Sequence, residues 1–187
     1  MRGSAPTLRA LAQDHTGGVI FVVHRLDKEA SGVVLFAKDA DAHRALNGAF
    51  ERREVIKTYR AWVLGAVMHD RTVNQPLKEF GSGRMGVTRR GRPSITAYRV
   101  LETHPEASLL DVSPRTGKRH QIRVHLYSVG HPILGDPLYG SPLPVGGATR
   151  LMLHATALSV DTPETGPLTV SCEPPPDFRR HTVRAAP

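Results

Sequence analysis

The sequence predicts an α+β domain with a mixed, largely antiparallel sheet and flanking helices, and three observations carry that expectation. Short β-branched or aromatic runs follow one another along most of the chain, each closed by Pro, Gly or Asp. Helical spacing of apolar residues shows in two stretches, 39–54 and 118–129. Strands therefore arrive mostly in succession with two helices inserted among them, an order that fits α+β better than a doubly wound fold.

Taken in order, residues 1–16 are small and polar with weak pattern. Val19-Ile20-Phe21-Val22-Val23, between Gly17-Gly18 and His24-Arg25, reads as a buried strand. A second apolar run, 33–37, follows so closely that 24–32 must be a tight connection. In 39–54, Ala42, Ala45, Leu46, Ala49 and Phe50 recur at helical spacing, Asp39 or Asp41 is suited to cap the start, and the outer face is basic. Strands are expected at 58–64, 94–103, 108–113, 151–160 and 168–173. Residues 118–129 place Ile122, Leu126 and Val129 on one helical face, and the Gly- and Arg-rich stretch 69–92 reads as a loop or a hairpin. A basic tail follows Pro174-Pro175-Pro176.

Length favours one domain. The 187 residues carry 25 Lys and Arg against 17 Asp and Glu, a formal charge of +8 that draws polyanions toward the surface. No apolar run approaches the ~20 residues needed to cross a bilayer, and no signal-like stretch follows Met1, so a soluble, cytoplasmic protein is expected. A single cysteine, Cys172, excludes an intramolecular disulfide and a cysteine-rich zinc site.

Two segments carry chemistry. His24-Arg25-Leu26-Asp27 sets a carboxylate between basic neighbours after a strand, where nearby positive charge keeps it ionised and available as nucleophile or base; the same acid would also serve as a salt bridge in a turn. Pro114 to His125 puts a turn and the cations Lys118 and Arg119 at a helix start, a natural cradle for phosphate or carboxylate, with Arg123 one turn further in and able to reach an acid across a cleft. Its plain alternative is a solvated basic helix.

These segments resemble the RNA pseudouridine synthases of the RluA type. In that family His-Arg-Leu-Asp, two variable residues and Thr-Ser-Gly carry the catalytic aspartate, and here the run reads His24 to Gly32 with Ala30 in place of the threonine. Lys57-Thr58-Tyr59, the Pro-x-Thr-Gly-x-x-His-Gln-Ile-Arg-Val-His segment at 114–125, Gly130 to Ile133, Gly135 to Gly140 and Leu153-His154-Ala155 follow in the family's order. The resemblance implies the pseudouridine synthase catalytic fold over 17–178, between a poorly patterned segment 1–16 and a basic tail 179–187. It also implies that the first strand region and its Lys-Pro motif are missing, through truncation or a reduced sheet. An exposed sheet edge is the expected consequence.

By the same resemblance the activity is conversion of uridine to pseudouridine in ribosomal or transfer RNA, by flipping the base into a pocket, with no cofactor, no metal, no membrane and no obligate protein partner. Asp27 acts at the sugar or base. Tyr59 stacks on the uracil and takes the C5 proton, Arg123 pairs with Asp27, and Leu153 packs against the base. Arg25, Leu26, Lys57, Lys118, Arg119, His120 and Gln121 complete the substrate-binding set. Lys28 and the loop cations Arg84, Arg89, Arg90 and Arg92 are further phosphate contacts, which add affinity but little sequence selection.

Two competing functions remain: an inactive RNA-binding relative of the same fold, and a metal-dependent phosphoesterase using Asp27 and histidines. The second lacks a ligand pattern, since His120 and His125 fall on different helical faces, and His24, His131 and His154 read as hydrogen-bonding or packing groups. Gly81 to Gly86 matches Gly-x-Gly-x-x-Gly, but no amphipathic helix follows it and no βαβ unit surrounds it, so it is not read as a dinucleotide site.

Overall fold

The structure is a computed structural model, and it describes residues 6–81, 83–140, 148–162 and 166–179. Helix α1 (Leu8–Thr16) and the two-residue strands β1 (Phe21–Val22), β2 (Ser31–Gly32) and β3 (Phe36–Ala37) precede helix α2 (Ala40–Arg52). Strands β4 (Ile56–Leu64), β5 (Arg71–Asn74), β6 (Leu77–Glu79), β7 (Met85–Val87), β8 (Ile95–Thr103) and β9 (Ala107–Pro114) lead to helix α3 (Gln121–Ser128). Strands β10 (Leu153–Thr162) and β11 (Gly166–Ser171) and the short helix α4 (Pro176–Arg179) close the described chain.

The main sheet runs β11-β10-β4-β9-β8-β5, every neighbour antiparallel, with β2 added to β10 in parallel. The expected mixed, largely antiparallel α+β architecture is thus present. The long strands lie where alternation and turn signals place them. The N-terminal part differs from expectation. The 19–23 run is not a buried strand: Ile20 is buried, but Val19 and Val22 are exposed and only Phe21–Val22 pairs, with β3. Of the apolar run 33–37, Phe36 and Ala37 form β3 and pair with β1. Segment 1–16 holds a helix, because Thr7 accepts from the Ala10 N–H at 3.2 Å and Gly17 ends it at φ 66°, purely local signals that need no apolar face; α1 buries none of its residues.

The stretch 69–92 is more ordered than a loop. Strand β5 joins the main sheet and β6–β7 form a hairpin, closed by Phe80 N–H to Arg84 C=O and Gly83 N–H to Phe80 C=O. Gly81 and Gly83 therefore belong to a hairpin turn and Gly86 to β7. Helix α3 is not a solvated basic helix either. All of Gln121 to Leu126 is buried, between a core built on β4, β8, β9 and β10 and a small cluster of Leu77, Val124 and Tyr139 under the hairpin. A separate core of Leu46, Ala49, Val55, Leu158 and Val160 seats α2 on the far half of β10. The tail beyond Arg179 lies outside the described residues.

Candidate active site

Side chains alternate along β4, so Lys57, Tyr59 and Ala61 share one face. The antiparallel register with β10 sets Tyr59 opposite Ala155 and Ala61 opposite Leu153. Strand β2 joins β10 at the same level, with Ser31 beside His154 and Gly32 beside Ala155. Gly32 has φ 114°, and a Cβ there would sit 2.2 Å from the Ala155 carbonyl oxygen, so the catalytic-type loop docks only because residue 32 has no side chain. Ser31 is fixed through His154 Nδ1 at 2.8 Å and Arg150 at 3.2 Å, and Ala30 N–H closes the turn on the Asp27 carbonyl at 3.0 Å.

Asp27 emerges from this turn into a cleft of about 670 Å³, within the ordinary range for small-molecule sites. All eleven side chains named from the sequence, from Arg25 to Leu153, line it. Lys28 and the hairpin cations Arg84, Arg89, Arg90 and Arg92 do not. Part of the cleft wall was not legible from the motifs: Asn47, Phe50, Glu51 and Arg53 come from the end of α2, and Arg115 from the turn after β9. Phe50 stacks on His24 with ring centroids 5.1 Å apart and lies 5.8 Å from Lys57 Nζ.

Arg123 is 1% exposed and holds two carboxylates. Its Nε and Nη2 donate to both oxygens of Asp136 at 2.7 Å, while Nη1 donates to Asp27 Oδ2 at 3.1 Å. Asp136 also accepts the Leu138 and Tyr139 N–H groups at 2.9 and 3.0 Å, and these donors, led by the Arg123 hydrogen bonds, outweigh burial and hold its carboxyl below the usual carboxylate range. Both oxygens of Asp136 are thus held, and its side chain is fully buried. Asp27 has one held oxygen, while Oδ1 faces His120 Nε2 at a non-bonded 3.9 Å. Of the two acids on this arginine, Asp27 is the one with a lone pair available to an incoming group. Asp136 was missed as a site residue; its signal was its place in Gly135-Asp136-Pro137, a turn in which Asp caps its own backbone.

Burial first, and then the Asp27 charge, push the Tyr59 hydroxyl up to about 12. It is a neutral phenol at physiological pH. Burial and then Lys57 hold His24 down at about 4, consistent with its Nε2 accepting the Leu35 N–H at 2.9 Å. Burial also lowers Lys57.

The placement of Gln121 argues against a substrate contact. Its Oε1 accepts from Thr116 Oγ1 at 2.6 Å and Lys118 N–H at 3.1 Å, and its Nε2 donates to the Ile95 carbonyl at 2.9 Å and Thr96 Oγ1 at 3.0 Å. With its amide occupied, Gln121 shapes the 116–120 turn that presents Lys118. Arg119 is paired with Glu79 of the hairpin at 2.9 Å. His131 and His154 hydrogen-bond to the Leu64 and Cys172 carbonyls, and buried His125 lies between Thr96 Oγ1 and the Gln75 carbonyl. Among the described residues no group of three His, Cys, Asp or Glu is placed to hold a metal ion, and no helix is long and apolar enough to cross a membrane.

Comparison with known proteins bears on the family and the fold. The family model described as RNA pseudouridylate synthase matches residues 4–128. Ribosomal large subunit pseudouridine synthase D of Nitrosomonas europaea is 41% identical over 165 residues, covering 83% of this chain and 48% of that protein. Its namesake in Escherichia coli (strain K12) is 36% identical over 159 residues, covering 78% and 49%. The chain thus spans about half the length of the curated relatives it matches. Human RNA Pseudouridylate Synthase Domain Containing 1 superposes with a TM-score of 0.80 at 28% identity, covering 90% of this chain and 74% of that one. The match over two thirds of the sequence and the shared fold together place the chain in the RNA pseudouridine synthase family of the RluA type.

Proposed function

We propose that this chain isomerises uridine to pseudouridine in RNA, with Asp27 as the reacting carboxylate and 17–178 as the catalytic unit. The observation that carries the reading is the asymmetry at Arg123: Asp136 is buried with both oxygens held, and Asp27 keeps one oxygen without a hydrogen bond in a cleft of about 670 Å³. Extruding the base costs a few kcal/mol, and stacking on an aromatic ring returns ~1–3 kcal/mol; Tyr59 supplies that ring and Leu153 the apolar floor. The N1–C1′ bond breaks, a C5–C1′ bond forms, N1 gains a proton and C5 loses one, so the reaction is redox-neutral and calls for no cofactor. A neutral Tyr59 takes the C5 proton only as its own proton leaves, and Asp27 is the nearby base whose charge it feels.

Arg25, Lys57, Lys118 and Arg119 line the cleft as phosphate ligands. The names of the relatives favour ribosomal RNA as the substrate. The test is tritium release from uridine-C5-labelled RNA, comparing unmodified ribosomal and transfer RNA. Wild type is expected to release tritium, and Asp27→Asn to fall by at least about 100-fold, the scale of a lost acid–base group, while still binding RNA. Normal turnover by Asp27→Asn would overturn the assignment of the acid. Tritium-free wild-type reactions with folded protein and intact RNA binding would favour a non-catalytic RNA binder.

A further inference from the structure

Three elements meet at one hydroxyl beside the cleft. The Met85 N–H, on the β6–β7 hairpin, donates to Tyr139 Oη at 2.9 Å, and His120 Nδ1 lies 2.9 Å from the same oxygen. A backbone N–H can only donate, which leaves the Tyr139 hydroxyl hydrogen free to point at Nδ1. When the hydroxyl donates to Nδ1, the neutral ring carries its proton on Nε2, the nitrogen that faces Asp27 Oδ1 at 3.9 Å. That gap is about 1 Å longer than a hydrogen bond, the kind of distance that closes when a substrate complex forms.

The backbone supports the same conclusion. His120 sits at φ 52° immediately before α3, a left-handed conformation uncommon outside glycine, and one that recurs where structure is held for function. Its side chain does not cap the helix behind it. Burial lowers the imidazole; Asp27 and Asp136 act to raise it, and Arg123 and Arg119 to lower it, with the Tyr139 hydroxyl as its bonded partner.

We infer that His120 is a positioning residue for Asp27: its Nε2–H orients the oxygen of Asp27 that Arg123 leaves open, and the Tyr139 hydroxyl, keyed by the hairpin's Met85 N–H, fixes the tautomer that makes this donor available. The inference rests on Asp27 as the reacting carboxylate. It also links the hairpin to the site. Arg84 donates to the Leu138 carbonyl and lies 5.4 Å from the Tyr139 ring, Arg123 lies 5.2 Å from the same ring, and Arg119 pairs with Glu79. RNA seated on the hairpin therefore bears on the node that sets His120.

Two substitutions separate positioning from scaffolding. An Asn amide ends near the place of Nδ1 and tolerates positive φ, so His120→Asn keeps the Tyr139 bond and loses the donor toward Asp27. A Gln amide ends near the place of Nε2, so His120→Gln does the opposite. With C5-tritiated RNA, His120→Asn is expected to lower kcat on the order of 10- to 100-fold with KM little changed, the scale of an ångström-level misplacement, and His120→Gln to retain most of the rate. An Asn variant as fast as Gln would overturn the inference.

A second measurement needs no turnover. In 15N-histidine-labelled protein, with His120 assigned by its loss in His120→Gln, Nε2 should be protonated and Nδ1 bare. Tyr139→Phe should mix the tautomers, and Asp27→Asn should shift the Nε2–H resonance. A wild-type Nδ1–H tautomer, or an Nε2–H unmoved by Asp27→Asn, would overturn the inference even if no RNA were converted, whereas absence of conversion alone would count against the functional reading.

Discussion

Arg123 and its surroundings are fixed at every atom that matters, with three charge-assisted hydrogen bonds, full burial and an aromatic ring alongside. The N-terminal stretch contrasts with it: α1 buries no side chain, β1 and β3 are two residues each, and Leu8, Leu11, Val19 and Val22 face solvent. Both regions belong to one chain, but only the first needs long-range contacts to exist. Positional accuracy at Asp27 comes from the sheet and α3, and the N-terminal helix can form from its own caps.

The comparison breaks most decisively at Asp136. Asp136→Asn leaves a buried guanidinium short of its main partner and should cost ~3–5 kcal/mol, read by urea unfolding, whereas Asp27→Asn leaves the Arg123–Asp136 pair intact and should move the midpoint little. Because the folded-state value of Asp136 is depressed, its contribution is fully present above the unfolded value of about 3.9 and is lost as pH falls through the lower folded value. Acid unfolding should therefore lose that step in Asp136→Asn. Gly32→Ala should come next, destabilising by ~1–3 kcal/mol and lowering turnover, since its Cβ must displace the loop from Ala155.

His24 sharpens the contrast at milder pH. Its value falls from 6.5 to about 4 on folding, so the unfolded chain takes a proton first and stability should decline from about pH 6.5 to about pH 4, then level. Replacing it by Gln should flatten that part of the curve. Thr7→Ala should do least: it removes the α1 cap, worth ~1 kcal/mol to the helix, and should lower helicity by circular dichroism without moving the global transition.

Legibility follows the same division. Strands β4, β8, β9 and β10 and helix α2 carry their pattern locally, and Asp27, Arg123 and Tyr59 stand in spaced motifs, so their convergence on one cleft was readable. Asp136 was not, because a turn aspartate gives no sign of which distant cation it meets. The inward bonds of Gln121 were not legible either, because a polar residue at a helix start looks the same whether it faces ligand or an inward carbonyl. The run at 19–23 looks like a strand by composition, yet strand length depends on a partner that composition does not name.

The parallel bridge between Ser31 and His154 joins residues 123 apart, and the Asp27–Arg123 bond spans 96. Contacts of such high sequence separation close the largest loops in the chain and form slowly. During synthesis, which runs from the N-terminus at ~5–20 residues per second, the aspartate emerges early but has neither its arginine nor its docking strand until most of the described chain has followed. The chain therefore acquires a poised carboxylate only late in its own assembly, and a ribosome-stalled product ending before residue 154 should carry every motif through Tyr139 and still lack a site.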